Sequence, residues 1–249
     1  MIIAHRGVSF SFPENSLPAF EASWSSGVDG IEGDFHLTKD GFIVCIHDDD
    51  TQRVCNQKLI VRDSTLEELK QLNLSCKDTI NSKIKIPTLA EVLEVVPYGK
   101  KIFIEIKCGV EIIKPLIKEL SQSKINTEQA VIISFDEKVI KVFKSAAPSY
   151  KAYWLYSYEL DCNINNILNV MNDIKADGLS SDNENSKTLI DRINNSKKRP
   201  VAFKASKNQL IDLIKKRTKI YSKALYKIDC ENLSKIEIAD KILKIYETH

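Results

Sequence analysis

Residues 101–146 read KIFIEIKCGVEIIKPLIKELSQSKINTEQAVIISFDEKVIKVFKSA, and their rhythm decides the fold. Lys101 to Ile106 is a short apolar run of strand length. Val110 to Ser123 follows with the spacing of an amphipathic helix. The pattern then repeats, with a strand over Val131 to Ser134 and a helix from about Glu137 to Ala146. Strand–helix alternation of this kind places the strands parallel in one sheet.

Working outward, the same alternation reaches both ends. Towards the N-terminus, a strand over Ile2 to Ala4 stops at His5-Arg6-Gly7. A loop with Pro13-Glu14-Asn15 leads to a helix through Leu17, Ala19, Phe20 and Trp24, with Asn15 as its N-cap and Pro18 in its first turn. Gly30 to Phe35 is a strand, and the turn Lys39-Asp40-Gly41 joins it to an extended arm, Phe42 to Ile46, that ends at His47-Asp48. Residues 48–86 are irregular apart from a short helix over Thr65 to Leu72. They read as an insertion in the loop after the second strand, on the active-site side. Thr88, with Glu91 three residues on, forms a capping box for the next helix.

Towards the C-terminus, strands are expected at Lys151 to Leu155, Ala176 to Leu179, Pro200 to Phe203 and Ile220 to Ala224. Helices are expected at Ile164 to Asn172, Lys187 to Asn194, Gln209 to Lys216 and Leu233 to Tyr246. Without the hairpin arm, that makes eight strands and eight helices, which predicts an α/β fold, a (β/α)8 TIM barrel occupying 1–249 as a single domain. An open doubly wound sheet is the alternative, weakened because no GxGxxG turn follows the first strand.

Composition agrees with one such domain. The chain has 249 residues, 43% hydrophobic and 28% charged, and a barrel of this type takes about 250 residues. Lys+Arg at 36 against Asp+Glu at 34 gives +2, a balance that calls for neither a nucleic-acid nor a membrane partner. The six cysteines, Cys45, Cys55, Cys76, Cys108, Cys162 and Cys230, are scattered without a CxxC pair, so reduced thiols are expected. No signal-peptide stretch opens the chain, and no apolar run nears the ~20 residues of a membrane span. A soluble, cytoplasmic protein is the expectation.

The chemistry gathers where strands end, which in such barrels is the active-site mouth. The first strand ends in His5-Arg6. Glu32 and Asp34, two apart, share one face of the second strand, and Glu105 and Lys107 share one face of the Lys101–Ile106 strand. Three carboxylates packed together repel one another and raise their own pKa values, a conflict that a hard divalent cation such as Mg²⁺ or Ca²⁺ removes. Arg6 and Lys107 supply positive charge for an anionic substrate such as a phosphodiester. His5 and His47 can serve as general base and general acid near neutral pH. Taken singly, each feature has a plainer explanation: a solvated strand edge, a structural histidine, a same-face ion pair. Their order along successive strands favours a site. His36 is assigned a structural role.

Ala4-His5-Arg6-Gly7, Pro13-Glu14-Asn15-Ser16, Ile31-Glu32-Gly33-Asp34, Leu37-Thr38-Lys39-Asp40-Gly41 and His47-Asp48 follow one another in an order that resembles the glycerophosphodiester phosphodiesterase family. Leu66-Glu67-Glu68-Leu69, Ile86-Pro87-Thr88-Leu89, Ile104-Glu105-Ile106-Lys107 and Ile132-Ile133-Ser134-Phe135-Asp136 continue it. The resemblance implies a divalent metal on Glu32, Asp34 and Glu105, acid and base roles exchanged between His5 and His47, and phosphate bound by Arg6 and Lys107. It also implies attack of a glycerol hydroxyl on phosphorus, loss of the alcohol, and opening of a cyclic phosphate by water to glycerol 3-phosphate.

The C-terminal part departs from the family pattern. Where the family has a Trp-Thr-Val-Asn run and then a Thr-Asp pair, this chain has Phe203-Lys204-Ala205-Ser206 and Ser222-Lys223. Phe203 keeps an aromatic for the substrate. Lys204 and Lys223 add charge that would disfavour a choline head group if either reaches the pocket. Two other readings stand beside the leading one: a phospholipase D-like enzyme on lysophospholipids, and a barrel that binds a phosphate ligand without catalysis. Intact His5 and His47 argue against the latter.

Overall fold

The computed structural model describes residues 1–75, 83–157, 164–181 and 201–203. The chain divides into a unit Met1–Lys204 and a unit Ala205–His249, and the second lies outside the described residues. Among the described residues eight strands form one sheet: β1 (Ile3–His5), β2 (Gly30–Leu37), β3 (Ile43–Cys45), β4 (Lys101–Ile106), β5 (Ala130–Ser134), β6 (Lys151–Tyr156), β7 (Gly178–Ser181) and β8 (Val201–Phe203). The order is β1-β2-β4-β5-β6-β7-β8, every neighbouring pair parallel, while β3 lies antiparallel on β2. The fold is therefore α/β with a parallel sheet. The strand expected at 220–224 and the helices expected at 187–194, 209–216 and 233–246 lie outside the described residues.

Helices follow the strands: α1 (Leu17–Ser25), α2 (Gln52–Cys55), α3 (Leu66–Gln71), α4 (Leu89–Glu94), α5 (Ile113–Gln122), α6 (Glu137–Ala146) and α7 (Ile164–Asp173). Both α3 and α4 begin in full capping boxes, Thr65 with Glu68 and Thr88 with Glu91. The stretch expected as one helix from Val110 divides into a 3-10 turn, Val110–Ile112, and α5. Pro115 explains the division: it fits the first turn of α5, where an N–H has no helical partner.

The two faces of the sheet bury different things. Ile31, Phe35, Ile102, Ile104 and Ile132 pack outward against Leu89, Leu116, Ile140 and Phe143 of the helices. On the opposite face Phe103, Val131, Ile133 and Leu155 form a smaller apolar layer, with Ile3 and Tyr153 against it. Between β3 and α4 the chain builds a separate core from Val44, Ile46, Val54, Val61, Leu69, Leu74 and Ile86. Cys45, Cys55 and Cys108 are free thiols, and no helix of the described residues is long and apolar enough to cross a membrane.

Two boundaries differ from the sequence reading for reasons that bear on the site. β2 runs on to Leu37 because its last residues pair with β3, Phe35 with Cys45 and Leu37 with Ile43. Helix α1 is capped by Ser16, whose hydroxyl accepts from the Ala19 N–H, and not by Asn15. Asn15 adopts a left-handed backbone (φ 56°) and is buried, which turns its amide inward.

Candidate active site

Strand register assembles the acids. His5 on β1 lies beside Glu32 on β2, and Asp34 lies beside Glu105 on β4. Period-two alternation puts Glu32 and Asp34 on one face, and the parallel register adds Glu105 to it. Between the two acids Gly33 faces the other way. There a Cβ would sit 3.1 Å from both the Cys45 Sγ and the Phe20 ring, so α1 and β3 can close tightly behind the site. Glu32, Asp34 and Glu105 each offer an oxygen, all within 4.8 Å of one another, and all three residues are buried.

Such packing is electrostatically costly. Burial, then repulsion from Asp34 and Glu105, pushes the Glu32 carboxyl well above the usual range. Burial raises Glu105 too, with Asp34 adding to it and Lys107 opposing. Among the described residues, Glu32 Oε1 and Asp34 Oδ1 are buried and accept no hydrogen bond. Orphaned carboxylate oxygens converging on one point are the donor set of a hard divalent cation, and the three residues fit one.

Basic groups ring the acids. Lys107 Nζ donates to Glu105 Oε1 at 2.8 Å and lies 3.8 Å from Asp34 Oδ1. The turn after β1 brings in Arg6, in a left-handed backbone (φ 57°) followed by Gly7 (φ 78°), where a Cβ would strike the Ala19 backbone at 2.7 Å. Its guanidinium sits 3.1 Å from Asp34 Oδ2 and donates to Glu14 Oε1 at 3.2 Å. Its own N–H donates to the Glu32 carbonyl at 3.0 Å and to Glu32 Oε2 at 3.1 Å.

The two histidines occupy opposite flanks. His5 Nε2 lies 3.8 Å from Glu32 Oε2, with half of the side chain exposed. His47 Nδ1 lies 2.6 Å from Asp48 Oδ1, and Nε2 lies 3.3 Å from Lys107 Nζ. An ionised carboxylate only accepts, so Nδ1 carries the proton and Nε2 presents its lone pair towards the site. Hence His5, Arg6, Glu32, Asp34, His47, Glu105 and Lys107, named from sequence, converge. Phe203 ends β8 opposite Ser181, but its side chain lies outside the described residues, as do Lys204 and Lys223.

Several residues were not foreseen. Asn15 Nδ2 donates to Asp34 Oδ2 at 2.8 Å, while its Oδ1 accepts from the Asp34 N–H at 3.2 Å. His36, given a structural role from sequence, is buried and donates from Nε2 to the His47 carbonyl at 3.2 Å, which holds the loop that carries His47. Arg53 donates to Asp48 and to Glu14. Asn15 could have been found in the Pro-Glu-Asn-Ser stretch, where Ser16 already serves as a cap. Arg53 stands in an irregular segment with no pattern to mark it.

The glycerophosphoryl diester phosphodiesterase family matches residues 5–220. A glycerophosphodiester phosphodiesterase of Caldanaerobacter subterraneus subsp. tengcongensis is 41% identical over 165 residues, 63% of this chain and 66% of that protein. One from Bacillus altitudinis is 37% identical over 155 residues, 59% of this chain and 62% of that protein. The chain thus spans slightly less than two thirds of the length of either relative. Among solved structures, a glycerophosphodiester phosphodiesterase of Thermotoga maritima has a TM-score of 0.69 at 26% identity, covering 88% of this chain and 91% of that one. A phosphodiesterase of Oleispira antarctica, solved with the product sn-glycerol-3-phosphate, shares the fold at a TM-score of 0.78 and 24% identity, over 86% and 89% of the two chains. The family match opens on His5 and encloses each acid, cation and imidazole that the register brings together, so the chain belongs to the glycerophosphoryl diester phosphodiesterase family.

Proposed function

We propose that this protein hydrolyses glycerophosphodiesters to glycerol 3-phosphate and an alcohol, using Mg²⁺ or Ca²⁺, within a closed (β/α)8 barrel spanning 1–249 in the cytoplasm. The observation that carries the reading is the buried triad Glu32–Asp34–Glu105 with a cation and an imidazole on either flank.

Glu32, Asp34 and Glu105 would hold the metal, which when bound supplies Lewis-acid polarisation of the phosphodiester. The chain's own groups do the rest. Arg6 and Lys107 already reach the triad, and a phosphate placed there takes over their N–H donors. One histidine accepts the proton of the attacking glycerol hydroxyl as the O–P bond forms. The other protonates the departing alkoxide as the second P–O bond breaks. The roles reverse when water opens the cyclic phosphate. Asp48 keeps the His47 Nδ1 proton in place, so proton exchange at that residue occurs on Nε2.

A second reading has its own support. Phe10, in the loop after β1, and Phe135, just beyond β5, are exposed apolar rings at the strand ends where the site lies. They favour a substrate with an acyl chain, hydrolysed with the same chemistry in a phospholipase D-like manner. The deciding experiment assays purified protein against glycerophosphocholine, glycerophosphoethanolamine, glycerophosphoglycerol and a lysophospholipid, with and without EDTA. Turnover of the soluble diesters that EDTA abolishes and added Mg²⁺ or Ca²⁺ restores is the expected result. Turnover of the lysophospholipid alone favours the second reading, and full activity in excess EDTA refutes metal dependence.

A further inference from the structure

Arg53 lies in α2, in the segment between β3 and α4, and not on a strand that carries the acids. Its Nε donates to Asp48 Oδ2 at 2.6 Å, and a terminal N–H donates to Glu14 Oε1 at 2.7 Å. Each acid also holds a group facing the triad. The second oxygen of Asp48 binds His47 Nδ1 at 2.6 Å, and the same oxygen of Glu14 accepts from Arg6 at 3.2 Å. A continuous chain of contacts therefore runs His47–Asp48–Arg53–Glu14–Arg6.

We infer that Arg53 is a positioning residue that aims the acid–base histidine and the phosphate-binding arginine together, through Asp48 on one side and Glu14 on the other. The inference rests on the roles given above to His47 and Arg6.

Three observations favour aim over fold stability. The Arg53 side chain is 47% exposed and Asp48 is 32% exposed, and ion pairs this wet contribute little to folding. The guanidinium is a rigid plane, so two of its N–H groups set the spacing of two carboxylates, as a single ammonium cannot. Finally, both acids are kept ionised. The Arg53 hydrogen bond, opposed by partial burial and helped by His47, draws the Asp48 carboxyl down to about 2. Burial alone would raise Glu14, but Arg53 and Arg6 outweigh it and hold it below the usual range. Asp48 thus stays a pure acceptor for the His47 Nδ1 proton, and Glu14 stays a fixed anchor for Arg6.

The test is steady-state kinetics on a soluble glycerophosphodiester at saturating metal, with thermal melts of each variant. Asp48→Asn should lower kcat with little change in KM, and Glu14→Gln should mainly raise KM. Arg53→Ala should do both, each by about 10- to 100-fold, at an unchanged melting midpoint. Arg53→Lys keeps the charge but can reach only one acid, so it should restore one parameter and not the other. The double variant Arg53→Ala/Asp48→Asn should have the kcat of Asp48→Asn alone, because both act on one histidine. Arg53→Ala within about threefold of wild type in both parameters overturns the inference, as does full recovery in Arg53→Lys or independent multiplication in the double variant. If Arg53→Ala does not fold, Arg53→Lys decides by the same split. His47→Ala is the control. If it is inactive while the Arg53 variants are intact, the positioning role of Arg53 alone fails; if it is fully active, that role fails together with the reading of the site.

Discussion

Asn15→Ala removes a single buried amide and should be felt in both stability and metal binding. Nδ2 donates to the Asp34 carboxylate at 2.8 Å, and Oδ1 accepts the Asp34 backbone N–H at 3.2 Å. A hydrogen bond to a charged acceptor contributes about 1.5–3 kcal/mol, and the N–H left bare costs about 1–3 kcal/mol. Alanine must also hold φ 56°, a left-handed backbone that costs an ordinary residue about 1–2 kcal/mol. These terms overlap at one site, so the expected loss is about 4 kcal/mol. Asn15→Gly relieves the backbone but adds unfolded-state freedom, and should lose about 0.5–1 kcal/mol less than alanine. Urea denaturation at pH 7 in chelator reads the stability. Calorimetric titration with Mg²⁺ or Ca²⁺ should show affinity weakened by about 10- to 100-fold, because Asp34 loses the group that aims it. A stability loss under about 1 kcal/mol with unaltered metal affinity would refute the assignment of Asn15 as the anchor of Asp34.

Two further expectations concern separate parts of the molecule. His5→Ala and His47→Ala should each lower kcat by about 10² to 10⁴ while the protein remains folded, and variants within a few-fold of wild type would move both to structural roles. Glu119, on α5, has a buried Oε2 without a partner among the described residues, and burial pushes its carboxyl up to about 7, with the Ala90 N–H and Lys118 pulling the other way. A folded value above the ordinary 4.5 means that its stability contribution is present below that pH and is lost as pH rises through about 7. The melting midpoint should therefore fall less between pH 5 and pH 8 in Glu119→Gln than in wild type, and equal slopes would show that this carboxyl is not the cause.

Most of the site was legible because strand geometry is simple. Glu32 with Asp34, and Glu105 with Lys107, stand two apart, and alternation alone puts each pair on one face. Helix starts at Thr65 and Thr88 were legible for the same reason: a capping box is a local contact over three residues. Asn15 was misread because it and Ser16 are both good caps, and only burial of the Asn15 side chain against Asp34 separates them. The partnership of His47 with Asp48 was visible as a motif, but its direction was not.

The sequence by itself determined the alternation of strands and helices, the acids, cations and imidazoles at strand ends, and through their order the family. These depend on local periodicity and on side-chain chemistry, which a chain carries wherever it goes. Tertiary structure alone decided which oxygens of the triad are left without donors among the described residues, that Asn15 and His36 brace Asp34 and His47, and that Arg53 bridges Glu14 to Asp48. Arg53 and Glu14 are 39 residues apart, and no periodicity links them. Their meeting follows from the core of Val44, Ile46, Val54, Val61 and Leu69, whose apolar burial is non-directional and draws the segment together without marking in the sequence which polar groups will meet above it.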